Sequence, residues 1–449
     1  MMKRLLFILM LSYGSLSLFA QPEAGLWFLP EVSQANQLNP AFTGNQSLVI
    51  GIPAMSGSFS LMNSTFPVQQ AFVGPVDQRL NLENEIAALQ GDQFLRSWAD
   101  VRLLEVGFKV RKTQIGISSH LKMLGHSRYS SDFVKLLWFG NGNLIDETIQ
   151  LTPDFQLMAY QDFAARISVP VGEKLRIGGR LHYLLGVGDL SVGNNTFTLY
   201  TDPAFYQLTI DADYEVRASN SISSLPNQLS AVPNWFNAAN GGLAIDLGAE
   251  FRPMKNVSIG ASLLNFGFIN WRQNAQIWKS EGIIEYNGLT LGSWVRDQQF
   301  TAADYIDSLE AVFSPIQRQE SYTTSLPLRL IVGGSWEPME WLRVGALFEQ
   351  ESFRGQNFQV IALHGALRHK DIASFGLTYS HLPRFGSQLG TQLMFRAGPV
   401  QLLASTNNVL TAFQYWKGRS AQFRLGLNFA IGEGQFWEEN AAATPSMPY

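Results

Sequence analysis

Ala421-Gln422-Phe423-Arg424-Leu425-Gly426-Leu427-Asn428-Phe429-Ala430-Ile431 places an apolar residue at every odd position, with Gln422, Arg424, Gly426 and Asn428 between them. A strand sends successive side chains to opposite faces, so this segment has one oily face and one wet, partly charged face. The pattern recurs. Leu175, Ile177, Leu181, Tyr183, Leu185 and Val187 alternate with Lys174, Arg176, Arg180 and His182. Leu243, Ile245, Leu247 and Phe251 alternate with Asp246, Glu250 and Arg252, and Leu208, Ile210, Tyr214 and Val216 with Asp211, Asp213, Glu215 and Arg217. A chain built this way suits a sheet with one face in lipid and the other on a polar lumen. A soluble β-sandwich also alternates. Here the polar face is rich in Gly, Ser, Asn and mixed charge, and the strands run about 9–12 residues, the length that a tilted crossing of a bilayer needs.

Composition agrees. Charged residues make up 15% of the 449, against about 25% in a typical soluble domain. The formal net charge of −4 gives no basic surface for nucleic acid, so no nucleic-acid partner is expected. There is no cysteine, hence no disulfide framework, thiolate chemistry or acylated N-terminal cysteine. Lys3 and Arg4 precede the apolar run Leu5–Phe19, and Ala20-Gln21 offers a cleavage point, so residues 1–20 read as an export signal.

The segmentation of the chain follows. Tight turns are expected near Lys112, at Val171-Gly172-Glu173, Pro253-Met254-Lys255, Glu337-Pro338-Met339, His369-Lys370 and Gly398-Pro399. Longer connections run over 62–102, 124–157, 218–241, 270–326 and 407–420. Short turns at one end and long loops at the other are the pattern of an antiparallel outer-membrane β-barrel. The expected organisation is a plug segment at 21–45, a barrel of 14–16 strands at 46–432 and a polar tail at 433–449. The fullest count, sixteen, takes 194–201 and 206–217 as two separate wall strands. Helical spacing predicts loop helices over Leu82–Trp98, Asp132–Trp138 and Ala302–Phe313. Trp271, Trp278, Trp294, Trp336 and Trp341 fall near strand ends, where interfacial girdles belong.

Leu26-Trp27-Phe28-Leu29-Pro30, Asn39-Pro40-Ala41, Gly178-Gly179-Arg180, Gly241-Gly242-Leu243-Ala244-Ile245-Asp246-Leu247-Gly248 and Leu264-Asn265-Phe266-Gly267, in that order, resemble a Bacteroidota outer-membrane β-barrel family catalogued as domain of unknown function 5723. The resemblance spans nearly the whole chain after the signal and carries no established activity. Asn39-Pro40-Ala41 is also similar to the N-terminal element of FadL-like fatty-acid transporters, where it packs as a hatch in the lumen, and to that of PorP/SprF-type secretion proteins. This similarity implies a hatch role for Asn39, Pro40 and Ala41.

On the alternation, Arg176, Arg180, His182, Asp211, Asp213, Glu215, Arg217, Asp246, Glu250, Arg252, Arg329, Arg343, Arg396 and Arg424 are expected to face the lumen. Mixed signs at similar depth point to cross-strand pairs that fill the bore rather than to a selectivity ring of one sign. No pair of the six histidines has metal-ligand spacing, so neither metal nor cofactor is expected. Gly116-Ile117-Ser118-Ser119-His120 lacks the second glycine of a nucleophile elbow, and the chain is read as a non-enzyme. Two functions stay open: passage or uptake of a small, hydrophobic solute by a FadL-like route, or a non-transporting outer-membrane anchor or accessory of a secretion, adhesion or surface-assembly complex, with other envelope proteins as partners. Outer-membrane lipid is a partner in both.

Overall fold

The computed structural model describes residues 23–65, 83–142, 144–151, 153–204, 207–220, 239–286, 316–370, 372–382, 385–409 and 420–432. The expected signal, the expected helix at 302–313, the C-terminal tail and Trp294 lie outside them. The strands are β1 (Leu48–Gly51), β2 (Gly57–Asn63), β3 (Asp92–Val110), β4 (Thr113–Ser130), β5 (Thr148–Gln150), β6 (Asp154–Val171) and β7 (Leu175–Thr201). Next come β8 (Leu208–Asn220), β9 (Gly241–Met254), β10 (Val257–Trp271), β11 (Gln276–Tyr286), β12 (Ile316–Arg318), β13 (Tyr322–Ser325) and β14 (Leu328–Met339). The chain ends in β15 (Leu342–Phe353), β16 (Gln356–His369), β17 (Ala373–Leu382), β18 (Gly386–Ala397), β19 (Val400–Thr406) and β20 (Ser420–Ile431).

These strands close an antiparallel barrel of fourteen wall strands. β1 and β2 are halves of the first, and β13 and β14 halves of the eighth. β20 closes the ring, pairing Leu48 with Ile431 and Leu61 with Ala421. Along it Phe423, Leu425, Phe429 and Ile431 are exposed, whereas Gln422, Arg424 and Asn428 are buried inside. The same division holds around the wall, where Leu181, Leu243, Leu247, Leu363 and Phe395 all point outward and exposed. An apolar belt of this extent is stable only in lipid, so the wall is a transmembrane barrel of the outer-membrane type. Trp336 and Trp341 lie half-exposed at the tight-turn end, as a girdle requires. Trp271 does not: it is fully buried in a cluster with Tyr322, Leu184 and Ile269.

The count falls from sixteen to fourteen because residues 194–201 are not a new wall strand. They continue β7, which runs for 27 residues and outgrows the barrel. β8 pairs with this overhang (Thr198 opposite Asp211) and with β11 (Glu215 opposite Lys279), and β12 follows on β11. Inside the wall β7 pairs with β9 instead, Gly178 opposite Gly248. Asp211, Asp213, Glu215 and Arg217 therefore sit on a sheet standing beyond the barrel, exposed or half-exposed, and do not face the lumen. Alternation alone cannot separate a wall strand from a strand that extends its neighbour.

The helix expected over 82–98 is confined to 83–87, and residues from Asp92 onward belong to β3. Helical spacing of Ile86, Leu89, Phe94 and Leu95 lost to sheet pairing on both edges of β3. Ser131–Phe139 is helical as expected, and Ser130 caps it by accepting from Phe133 N at 3.1 Å.

Candidate functional site: the stoppered lumen

At the tight-turn end, Ser47 joins the sheet through Ser47 N to Ile431 O at 3.0 Å and Lys109 N to Ser47 O at 2.8 Å. The preceding residues turn back into the bore. They form a short helix at Glu23–Leu26 and a 3-10 turn at Ser33–Gln37, with Leu26, Phe28, Leu29, Val32, Ala35 and Leu38 almost completely buried. Within 23–46 no backbone group of the described residues pairs with a wall strand; the backbone bonds are local, such as Phe42 N to Asn39 O at 3.0 Å.

Asn39-Pro40-Ala41 sits at the centre of this plug. Asn39 Oδ1 accepts from Ala41 N at 2.9 Å, an Asx turn, and its Nδ2 donates to Ala249 O at 2.9 Å. The wall beneath is flat because Gly178 and Gly248 face each other across β7 and β9. A Cβ at Gly178 would come 2.3 Å from Pro40 and Ala41 backbone atoms, and one at Gly248 would come 2.1 Å from Asn39 Oδ1. The separate sequence segments behind the family resemblance thus meet at one contact. Arg166, which the strand reading passed over, donates to Pro40 O and Phe42 O at 3.0 Å each, and Ser168 to Ala41 O at 3.0 Å.

The plug has an apolar and a polar flank. Leu26, Trp27, Phe28, Leu29, Val32 and Phe42 pack on Leu264, Ile331, Leu347, Ala362, Met394 and Leu403 from β10, β14, β15, β16, β18 and β19. These inward apolar residues break the polar-in rule because they face the plug rather than water. On the opposite flank, Arg180 donates to Asn36 O at 2.9 Å, and Asn36 Nδ2 to Glu105 at 3.2 Å. Behind Arg180, Asp246 lies 3.4 Å away, and His182 stands 2.8 Å from Asp162 and 3.0 Å from Asp246. Lys122 pairs with Asp162 at 2.7 Å, and His120 with Asp100 at 2.7 Å.

The expected lumen arginines divide by task. Arg180, Arg343 and Arg424 hold the plug: Arg343 and Arg368 clamp Glu31 at 3.0 and 2.8 Å, and Arg424 donates to Gln37 at 2.7 Å. Burial opposes ionisation of Glu31, yet the two guanidiniums outweigh it and hold its carboxyl below the ordinary glutamate range. Arg176 braces Ser168 at 3.1 Å, Arg252 pairs with Glu250 at 2.8 Å and Arg329 with Glu349 at 2.7 Å, all between wall residues. Arg396 lies at the tight-turn rim, donating to Gly398 O at 3.1 Å.

The loop end is closed differently. Arg96 on β3 reaches across the bore to Glu351 on β15 and stacks 4.0 Å above the Phe358 ring. Phe94 meets Phe358 edge-on at 5.6 Å. Beside this bridge is a cavity of about 260 Å³ walled on one side by Met62, Phe358, Val360, Leu382 and Phe385 and on the other by Arg96, Glu349, Glu351, Asn357 and Gln359. Sequence reasoning missed Arg96, which it placed in a loop helix, and Asp100 and Arg102, which it left in the connection 62–102; the alternation Phe94, Arg96, Trp98, Asp100, Arg102 was the signal. No group of three or more His, Cys, Asp or Glu among the described residues is arranged to hold a metal ion.

A family model described as "Family of unknown function (DUF5723)" matches residues 40–407, most of the chain, and the chain belongs to this family. No curated protein matches it. Among solved structures it is similar to a Pseudomonas aeruginosa FadL homologue (10% identity, 93% of this chain and 100% of that one, TM-score 0.46). It is similar also to the Ralstonia pickettii toluene transporter TbuX (9%, 93% and 100%, 0.44). The P. putida toluene transporter TodX is a third (10%, 92% and 94%, 0.36).

Proposed function

We propose that this member of the DUF5723 family is an outer-membrane barrel, exported by a cleaved signal at residues 1–20, that passes a small, largely hydrophobic solute. The plug faces the periplasm in this reading, with Asn39, Pro40 and Ala41 as its hatch element. One observation carries it: the plug is joined to the wall by side chains and not by strand pairing. Such a stopper can shift without unzipping the sheet, because it gives up separate side-chain hydrogen bonds, ion pairs and apolar contacts and no backbone ladder. The cavity beyond it, lined by apolar and polar side chains alike, gives a solute a place to dwell before the plug yields.

The absence of cysteine from the chain allows a direct test. Gln34 and Asn428 exchange amide hydrogen bonds at 3.1 and 3.0 Å across the plug–wall boundary. With Gln34→Cys and Asn428→Cys joined by a short reversible bis-thiosulfonate cross-linker, uptake of toluene into proteoliposomes should stop, and thiol reduction should restore it. Equal uptake with the plug tethered and free would defeat the transport reading. The density of ionic contacts on the plug favours the second reading, a rigid envelope anchor or accessory. That outcome would show as no uptake in either state and co-purification with other envelope proteins.

A further inference from the structure

A second and larger cavity, of about 500 Å³, lies at the loop end, lined both by the sheet that stands beyond the barrel and by the tip of the β15–β16 hairpin. β8 supplies Arg217 to it, β13 supplies Thr323 and Ser325, and the hairpin supplies Ser352, Arg354 and Asn357. Arg217 reaches this place because β8 pairs with the overhang of β7 and not with the wall. The hairpin tip is a two-residue turn, with Arg354 and Gly355 both at positive φ, 49° and 72°. Arg354 pins that tip across the mouth, donating to Asp154 at 2.5 Å, Gln156 at 2.9 Å and Val192 O at 2.6 Å on β6 and β7. The cavity wall is thus held in place from the far side of the barrel.

Its polar groups are open to a ligand: Thr323, Ser325 and Asn357 are exposed, and Arg217 and Ser352 half-exposed. Ser352 donates to Asn357 Oδ1 at 2.7 Å, which leaves the Asn357 Nδ2 to donate elsewhere. Arg217 binds Glu215 through Nε, with its guanidinium 5.8 Å from the Tyr322 ring, which leaves its Nη groups as donors. Charge narrows the ligand. Among the described residues no Asp or Glu lines the cavity, and both arginines already hold a carboxylate, Arg217 that of Glu215 and Arg354 that of Asp154. A cationic ligand would face two guanidiniums with no carboxylate on the wall, and an anionic one would crowd Glu215 and Asp154. A wholly apolar solute would strip water from hydroxyls and an amide without replacing it. An uncharged molecule with several hydroxyls avoids all three costs, since each hydroxyl both donates and accepts. The lining presents polar and carbon surface alike, as a sugar ring does with hydroxyls at its rim and C–H on its faces. Size agrees: a cavity of about 150 Å³ accepts benzene, so about 500 Å³ holds roughly two rings.

We infer that this second cavity is a binding site for an uncharged saccharide of one or two rings, with Arg217, Ser325, Ser352 and Asn357 meeting its hydroxyls. The inference goes beyond the transport reading and does not rest on it, because the site is at the loop end, away from the plug. Binding to the full chain in nanodiscs would be measured by saturation-transfer NMR. The probes are glucose, galactose and mannose, each beside its uronate and its 2-amino sugar, with toluene as the apolar control. At least one neutral hexose should bind, severalfold tighter than its own charged counterparts, and toluene should not displace it. Arg217→Met removes a charged donor on a strand outside the wall and should weaken that sugar about tenfold. Ser325→Trp fills the cavity and should abolish binding. Phe385→Trp, which lines only the smaller cavity, should leave it unchanged. Heat-modifiable gel mobility checks that each variant folds. Failure of every neutral hexose to bind, tightest binding of a uronate or an amino sugar, or full binding in folded Ser325→Trp would overturn the assignment.

Discussion

The two ends of this barrel are closed by different chemistry. At the tight-turn end a folded segment of the chain fills the bore, seated on the glycine floor of β7 and β9 and held by arginines that bond its backbone oxygens. At the loop end there is no inserted segment among the described residues beside the cavity; single side chains from facing walls meet, Arg96 with Glu351 and Phe94 with Phe358. A plug of many weak contacts moves as a unit or stays. A bridge of one ion pair and one ring contact has far fewer contacts to give up. The first end is closed by one folded unit, the second by a few separate side chains.

The strongest way to break that contrast is to raise the glycine floor. Gly178→Val forces side-chain atoms into Pro40 and Ala41, a clash with backbone that exceeds the usual overpacking cost of about 1–3 kcal/mol. The plug should leave the bore, seen as protease cleavage within residues 23–46 and a rise in single-channel conductance, with the barrel still heat-modifiable. Next in size is Arg343→Ala, which strips Glu31 of one cation and Phe28 O of its donor. Breaking a buried pair costs roughly 3–5 kcal/mol, and the remaining Arg368 should keep the loss near the lower figure. Urea unfolding followed by gel mobility would measure it, and no change would remove Glu31 from the set of anchors.

Acid should act on the plug end selectively. Because the folded-state carboxyl of Glu31 is held below its ordinary value of 4.5, the charged form favours the seated plug. That contribution is complete above pH 4.5 and is lost as pH falls through the lower folded value. Protease access to residues 23–46 should be flat from about pH 7 to 5 and rise only below about pH 4. Arg343→Ala should move the rise to higher pH.

The smallest effect is expected at the loop end. Replacing both members of the bridge, Arg96→Met with Glu351→Met, should change stability by about 1 kcal/mol or less, since exchanging a buried ion pair for apolar volume is often neutral. A loss as large as that of Arg343→Ala would erase the distinction between the two closures.

Legibility in the sequence followed the range of the interactions. His182, Asp246 and Arg180 were placed inward by alternation, and they do meet, within 3.0 Å for His182 and Asp246 and 3.4 Å for Arg180 and Asp246. Asp211, Asp213, Glu215 and Arg217 carry the same alternation, yet they lie on the sheet beyond the wall because β8 pairs with the overhang of β7. Arg166 and Glu31 gave no local sign of their importance. Their partners, Pro40 and Phe42 for the one and Arg343 and Arg368 for the other, are more than a hundred residues away.

The sequence by itself determined the material of the wall: strands of period two, one face for lipid and one for the lumen, short turns at one end and long loops at the other. Those features follow from the covalent geometry of each strand and the cost of exposing apolar side chains, both local in the chain. The tertiary structure alone decided that fourteen strands close the ring, that Gly178 and Gly248 lie under Asn39-Pro40-Ala41, and that Arg96 crosses the bore to Glu351. Each of these depends on register and closure, which are set by hydrogen bonds between strands far apart in sequence, and no local pattern encodes them.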